Sequence, residues 1–191
     1  MVFRLRYYND PCLREKCSVV KVINKEVRDF AKELIETMIV YNGVGLAAPQ
    51  VGKPWRIFIG ALGDDKEGEG IFIHPQVYIN PKITYYSKET QVMNEGCMSY
   101  PGLYLDVRRP SFVDIEAYDE NGKFFRIEKA SGWLSRNLQH EYDHLEGILS
   151  IDHLAEGKRK SVQNHLDEIN RKYNSPARVV VNQEDINRYF S

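Results

Sequence analysis

The sequence His140-Glu141-Tyr142-Asp143-His144 sets two histidines four residues apart, with a glutamate directly after the first. On an α-helix, positions four apart share nearly one face. Two imidazoles there can reach one metal ion, and Glu141 can reach a water beside it. This is the spacing of metal-assisted hydrolysis of an amide bond. The plain alternative is an amphipathic helix whose histidines fall four apart by chance. The pattern is short, so the rest of the chain has to decide.

A catalytic metal usually takes three protein ligands and keeps one position open. His74, His153, His165, a carboxylate or Cys97 could fill the third place. Cys97 sits in Asn94-Glu95-Gly96-Cys97-Met98-Ser99-Tyr100-Pro101-Gly102, an irregular stretch whose backbone can approach another group closely. A thiolate ligand fits such a turn; so does a buried structural thiol. A third unusual stretch is Gly43-Val44-Gly45-Leu46-Ala47-Ala48-Pro49-Gln50-Val51-Gly52. Its small residues would let a substrate backbone lie against the chain. Gln50 offers an uncharged N–H donor to a developing oxyanion, although a glycine-rich helix terminus is often only a turn. No Gly-Lys-Ser/Thr follows, so this is not a phosphate-binding loop.

These residues need elements to hold them. Residues 133–145 contain no Pro or Gly, and Leu134, Leu138, Tyr142 and Leu145 recur at helical spacing. Ser131 can cap the start, and Gly147 lies past the end. We expect this helix to be apolar on most sides and to pack centrally, because precise ligand geometry needs a rigid platform. Asn24 reads as the N-cap of an earlier helix with Val27, Phe30, Leu34, Met38 and Tyr41 on one stripe and Gly43 at its end.

Residues 55–61 read as a strand and 62–70 as a solvated loop. Short strands are expected at 71–73, 77–80 and 83–86, broken by Pro75 and Pro81. Residues 112–118 and 123–128 alternate around Asp119-Glu120-Asn121-Gly122, a hairpin signal. A last helix covers about 156–173, with Val162, Leu166 and Ile169 inward, followed by a tail at 174–191 that includes Val179, Val180 and Val181. The order predicts an α+β fold: antiparallel or mixed sheets packed around a central metal-binding helix, with N-terminal and C-terminal helices. No repeat or composition break divides residues 1–191, which are expected to form a single catalytic domain.

Composition narrows the function classes. The chain of 191 residues is 42% hydrophobic and 28% charged, with 26 basic and 27 acidic residues and a net charge of −1. That balance gives no reason to expect general nucleic-acid or anionic-membrane binding. No apolar run approaches the ~20 residues of a membrane span, and the start of the chain lacks an apolar signal block. The three cysteines, Cys12, Cys17 and Cys97, are no disulfide framework and suit a reducing cytoplasm. Cys12 and Cys17 lie close together, but without a second ligand pair nearby they read as small buried hydrophobes.

Three stretches together resemble a known family. Gly43-Val44-Gly45-Leu46-Ala47-Ala48-Pro49-Gln50, Glu95-Gly96-Cys97-Met98-Ser99 and Gln139-His140-Glu141-Tyr142-Asp143-His144 are similar to the three signature motifs of the peptide deformylases, in the family's order and at similar separations. Asp10-Pro11-Cys12-Leu13-Arg14 and the hairpin at Asp119 extend the resemblance, which covers roughly residues 7–154. It implies a hydrolase that removes the N-formyl group from the starting methionine of nascent chains and releases formate. It also implies one divalent metal on Cys97, His140 and His144, with Fe2+ as the native ion and Zn2+, Ni2+ or Co2+ as substitutes. Glu141 would move the proton; Gln50 and the backbone N–H of Met98 would stabilise the oxyanion.

By the same resemblance, Val44, Met93, Glu95 through its methylenes, Trp133, Asn137 and His140 would wall the methionine pocket. Backbone groups of Val44, Gly45 and Gly96 would pair with the substrate main chain. Two departures fall near that pocket: Tyr104 stands where some members carry arginine, and Trp133 where others carry a smaller apolar residue. A site that admits only hydrogen on the carbonyl carbon would reject acetylated chains. The basic residues Lys158, Arg159, Lys160, Arg171 and Lys172 of the last helix read as a solvated face or as a contact with ribosomal RNA. The location implied is cytoplasmic, of bacterial type, or an organelle if a transit peptide has been removed. Competing readings are a general metallopeptidase, a non-enzymatic metal-binding relative and a metal-free Cys–His amidase. Cys97 and Gln50 argue against the first, and Gln50 and Glu141 against the second, since metal binding alone requires neither; chelator-resistant activity would favour the third.

Overall fold

The computed structural model describes residues 1–64 and 72–173, with the side chains of 61–64 and 72–74 left aside. Helix α1 (Lys25–Val40) begins where the sequence predicts, with Asn24 Oδ1 accepting the Val27 N–H at 3.1 Å. Its end differs from the expectation. Tyr41 is the C-cap rather than part of the stripe, and Asn42, not Gly43, takes the left-handed turn at φ 53°. Asn tolerates that region because its short polar side chain can bond locally. The Gly43 and Asn42 N–H groups then close on Met38 and Ile39 carbonyls at 2.9 and 3.0 Å, a Schellman ending. Removing the starting cap with Asn24→Ala should cost about 1 kcal/mol. Thermal melting should show a Tm lower by about 2–4 °C, and an unchanged Tm would deny the cap its role.

Seven strands follow: β1 (Gly45–Ala47), β2 (Ile57–Asp64), β3 (Phe72–Tyr86), β4 (Thr90–Gly96), β5 (Tyr104–Pro110), β6 (Phe112–Tyr118) and β7 (Phe124–Ser131). Among the described residues these strands pair antiparallel throughout, and an isolated bridge from Ser18 to Trp55 is parallel. One sheet has the order β1-β2-β3-β6-β7, and β4 and β5 pair alone. The expected strand at 55–61 starts later and runs on to Asp64, into the stretch expected to be loop. The rest of that loop, 65–70, and Ile71 of the next expected strand lie outside the described residues.

The three short strands expected between 71 and 86 are one strand. Pro81 does not break it, because a register shift between Ile79 and Lys82 absorbs it, with Asn80 at φ 52°. The β6–β7 hairpin turns at Asp119, whose Oδ1 accepts the N–H groups of Asn121 and Lys123 at 2.8 Å, while Gly122 sits at φ 79°. Its second strand extends to Ser131, beyond the expected 128. Strands β4 and β5 were not expected. In β5, Leu105, Val107 and Arg109 turn inward while Tyr104, Asp106 and Arg108 turn out.

Helix α2 (Gly132–Leu145) crosses the inner face of the large sheet. Ser131 occupies the N-cap position but its side chain makes no capping bond. Gly147 ends the helix at φ 72°, with the Ile148 N–H on Asp143 O at 2.9 Å. A Cβ on Gly147 would stand 2.5 Å from the Arg14 carbonyl oxygen, so glycine is needed for space as well as for conformation.

The helix is central but not apolar on most sides. Ser135, Arg136, Asn137, Gln139, His140, Glu141 and His144 are all buried. Hydrogen bonds compensate: Gln139 Nε2 donates to Ser135 Oγ at 2.9 Å and to Pro110 O at 3.0 Å, and Arg136 donates to Val107 O and Gln91 O at 2.9 and 2.8 Å. Helix α3 (Glu156–Tyr173) matches its predicted bounds. It buries Leu166 and Ile169, with Val162 packed beside them, against Tyr100, Leu105 and Val107 under β4–β5. The tail at 174–191 lies outside the described residues.

Candidate metal centre

Two distant pieces of chain meet here. Cys97 leaves β4 into a turn closed by the Tyr100 N–H on its carbonyl at 3.1 Å. His140 and His144 come from successive turns of α2, their ring centroids 5.1 Å apart and nearly perpendicular at 76°. One potential ligand atom from each of Cys97, His140 and His144 lies within 4.8 Å of the others, and Cys97 Sγ is 3.4 Å from His144 Nε2. Of the other candidates, His153 Nε2 bonds Asp143 Oδ2 at 2.7 Å and His165 Nε2 bonds Pro101 O at 3.2 Å. The His74 side chain lies outside those described.

The donor set fits a divalent transition metal: one soft sulfur and two imidazoles suit iron, zinc, nickel and cobalt. Burial pushes the His144 imidazole well below its ordinary pKa, which keeps it neutral with a lone pair to give. The remaining cysteines stand apart from this centre. Cys17 is buried, Cys12 donates to Pro49 O at 3.2 Å, and burial pushes both thiols up to about 12.

Glu95 does more than present methylenes to a pocket. It is buried and its carboxylate is gripped from three sides. Arg109 donates through Nε and Nη2 at 2.7 and 3.0 Å, Arg136 through Nη1 at 2.8 Å, and His140 through Nδ1 at 2.9 Å. Burial opposes its charge, but the His140 and Arg109 hydrogen bonds and the arginine charge hold its carboxyl far below the usual carboxylate range. An ionised carboxylate only accepts, so Nδ1 of His140 carries the proton and Nε2 is left for coordination. Arg109 continues to Asp143 Oδ2 at 2.5 Å, where His153 also bonds. Sequence reasoning missed Arg109 and Arg136; the alternation of β5, which turns Arg109 inward, was the available signal.

Glu141 is 3% exposed, and its Oε2 has no hydrogen-bond partner among the described residues. Burial raises its carboxyl to about 7, with the Glu95 charge adding and His140 opposing. Gly45 makes room for it, since a Cβ there would stand 2.3 Å from Glu141 Oε1. Gln50 is locked by Ala47 N–H on its Oε1 at 2.8 Å, which turns Nε2 toward Ser99 Oγ at 3.2 Å and Cys97 Sγ at 3.5 Å. Asn137 Nδ2 donates to Val44 O at 3.0 Å, so this residue ties α2 to the chain just before β1 as well as facing the cleft.

Cys97, His140, Glu141, Gln50 and Asn137 open on one cavity of about 790 Å³. Val44, Gly45, Gln50, Met93, Glu95, Gly96, Cys97, Met98, Trp133, Asn137, His140 and Glu141 line it, while His144 stands behind. Tyr41, Leu103, Tyr104, Leu134 and Arg136 line it too. Trp133 is 63% exposed and Tyr104 68%, so both belong to the rim rather than to an enclosed wall. The Tyr104 ring covers Gly96, where a Cβ would stand 2.8 Å from its Cε1.

The family model described as polypeptide deformylase matches residues 2–160. A peptide deformylase of Zymomonas mobilis subsp. mobilis is 44% identical over 150 residues, covering 78% of this chain and 84% of that protein. Peptide deformylase 1 of Clostridium perfringens is 47% identical over 149 residues, covering 78% and 95%. The crystal structure of a peptide deformylase from Ehrlichia chaffeensis superposes with a TM-score of 0.82 at 32% identity, covering 91% of this chain and 98% of that one. The likeness spans β1, the Cys97 turn and α2 alike, and on it the chain belongs to the polypeptide deformylase family.

Proposed function

We propose that this enzyme, acting as a single catalytic domain, removes the N-formyl group from the N-terminal methionine of newly synthesised polypeptides and releases formate. The observation that carries the reading is the convergence of Cys97, His140 and His144 beside a buried glutamate whose Oε2 has no hydrogen-bond partner among the described residues. Cys97 Sγ and the two imidazoles would hold one divalent metal, with Fe2+ as the native ion and Zn2+, Ni2+ or Co2+ as substitutes, in keeping with the S/N donor set. When bound, such a cation supplies Lewis acidity, polarising the formyl carbonyl and acidifying water.

The chain's own groups do the rest. Glu141, raised toward neutrality by burial, accepts the proton of the attacking water and returns it to the leaving amine. The oxyanion accepts hydrogen bonds from Gln50 Nε2, whose direction is set by Ala47, and from the Met98 backbone N–H. β1 is a sheet edge, so the backbone of Val44 and Gly45, with Gly96 opposite, can pair with an extended substrate. The methionine side chain enters the cavity among Val44, Met93, Trp133 and Asn137.

Nascent chains are the partner, and contact with the ribosome through Lys158, Arg159 and Lys160 on α3 is consistent with the exposure of all three. Among the described residues no helix is long and apolar enough to cross a membrane. A cytoplasmic location of bacterial type suits the free cysteines, and an organelle remains the alternative for a chain processed from a longer precursor.

The test is formate release from formyl-Met-Ala-Ser by anaerobically purified protein, set against cleavage of an internal amide. Release of formate alone separates this reading from a general metallopeptidase. On this reading the formyl carbon would lie among Gln50, Cys97 and Glu141, and a site that admits only hydrogen there would clash with a methyl group. An N-acetyl-Met peptide is therefore expected to turn over at least about tenfold more slowly, a discrimination of 1.4 kcal/mol or more. Equal rates on the two peptides would remove the steric account.

A further inference from the structure

The two halves of the metal centre belong to different apolar clusters. Helix α2, which carries His140 and His144, buries Leu138 and Leu145 among Phe58, Tyr78, Val113 and Ile115 of the large sheet. Cys97 follows β4 and packs with Tyr100, Leu105, Val107, Leu166 and Ile169. Hydrophobic contact is non-directional, so neither cluster fixes how far the thiol stands from the imidazoles. Directional bonds across the seam have to do that.

Arg136 makes three of them. It is 3% exposed and lies one turn before His140 on α2. Its Nη2 donates to Gln91 O at 2.8 Å, and its Nη1 to Val107 O at 2.9 Å and to Glu95 Oε1 at 2.8 Å. Val107 pairs with Met93 across β4 and β5. The contacts therefore fall at the alternate levels 91, 93 and 95 of the hairpin, the last of them two residues before Cys97. Two of the acceptors are main-chain carbonyls, which cannot swing away as a side chain can. A planar guanidinium meets its acceptors in fixed directions. His140 to Glu95, Arg109 to Asp143 and Gln139 to Pro110 also cross the seam. Of these only the Gln139 bond reaches backbone, and it does so at the end of β5 away from Cys97.

We propose that Arg136 is a positioning residue for the metal centre, setting the distance between the Cys97 turn and the two histidines of α2. Its effect on a bound metal rests on the metal reading above; its hold on the place of the sulfur does not.

Arg136→Met, Arg136→Lys and Ile115→Ala are compared with the parent after cobalt loading. The readouts are the thiolate-to-cobalt charge-transfer band and the rate of cobalt loss to a chelator. Arg136→Met is expected to weaken the band and to lose cobalt at least about tenfold faster, the usual worth of a group that orients a ligand. Arg136→Lys keeps the charge but not the fork, and should lose cobalt at least about threefold faster. Ile115→Ala deletes buried methyl groups from the sheet cluster and leaves the seam alone. It should lower Tm by about 4–10 °C with band and rate at the parent level. Crystals of metal-free Arg136→Met should show Cys97 Sγ moved by about 1 Å or more from its 3.4 Å approach to His144 Nε2.

Cobalt loss from Arg136→Met within about twofold of the parent overturns the role. So does a parental rate for Arg136→Lys, which would make the charge beside Glu95 the whole effect. Equal acceleration by Ile115→Ala overturns it too, since lowered stability alone would then loosen the metal. If the parent takes up no cobalt, the metal reading fails and the metal-free crystals decide: a sulfur unmoved in Arg136→Met overturns the proposal.

Discussion

Glu141→Gln is expected to lower kcat/KM for formyl-Met-Ala-Ser by about 10²–10⁴-fold, the usual worth of a positioned general base, while metal content stays at the parent level. The amide keeps the shape that packs against Gly45, where nothing larger than hydrogen fits, so the fold should not change. It cannot accept a proton from water, and that is the function lost. The parent carboxyl, held at about 7, suits both halves of the cycle, since a group near the working pH can take a proton and give it back. Formate release is measured alongside elemental analysis of the same samples. A variant with full metal and more than a tenth of parental activity would take the proton-transfer role from Glu141. A variant that loses its metal would show that the side chain serves the centre's assembly instead.

Arg109→Met is expected to produce the largest loss of stability. Arg109 is 3% exposed and contacts two carboxylates, with a forked pair of bonds to Glu95 and a third bond to Asp143. Methionine fills much of the volume but removes three charged hydrogen bonds from the two acids. Removing one partner of a buried ion pair costs about 3–5 kcal/mol. Arg136 stays on Glu95 and His153 on Asp143, which keeps the effect within that range rather than above it. The Tm of the zinc-loaded protein should fall by about 8–15 °C. A surface pair gives the contrast. Lys160 and Glu156 are both exposed, and such pairs contribute about 0–1 kcal/mol. Lys160→Met should therefore leave Tm within about 2 °C. A similar small shift for Arg109→Met would mean that water reaches the cluster and screens it.

The chemistry of the site was more legible than its support. Two histidines at helical spacing, a cysteine between glycines and a lone glutamine declared themselves because metal and oxyanion chemistry need few residue types. The Asn24 cap, the Asp119 turn and the bounds of α3 were also readable, each being decided within a few residues. Reading failed where partners lie far apart in the chain. Arg136 and Glu95 are separated by 41 positions and Arg109 and Glu95 by 14, and no local pattern couples them. The same distance hid the polar character of α2: counting Leu134, Leu138, Tyr142 and Leu145 found the stripe against the sheet but not the buried polar residues facing the other way. Strand β3 was split on paper because proline usually ends a strand, whereas a bulge at Asn80 lets this one continue.

Strand β1 has one further consequence. An unpaired strand edge invites other copies of a protein to stack onto it, the first step toward aggregation. Here the ladder is three residues long and stops at the 3₁₀ turn Ala48–Val51. On the proposed reading an extended peptide tip would need only these few main-chain partners, while a neighbouring molecule finds too few to nucleate a growing sheet. The same brevity guards the protein against assembling through its own open side.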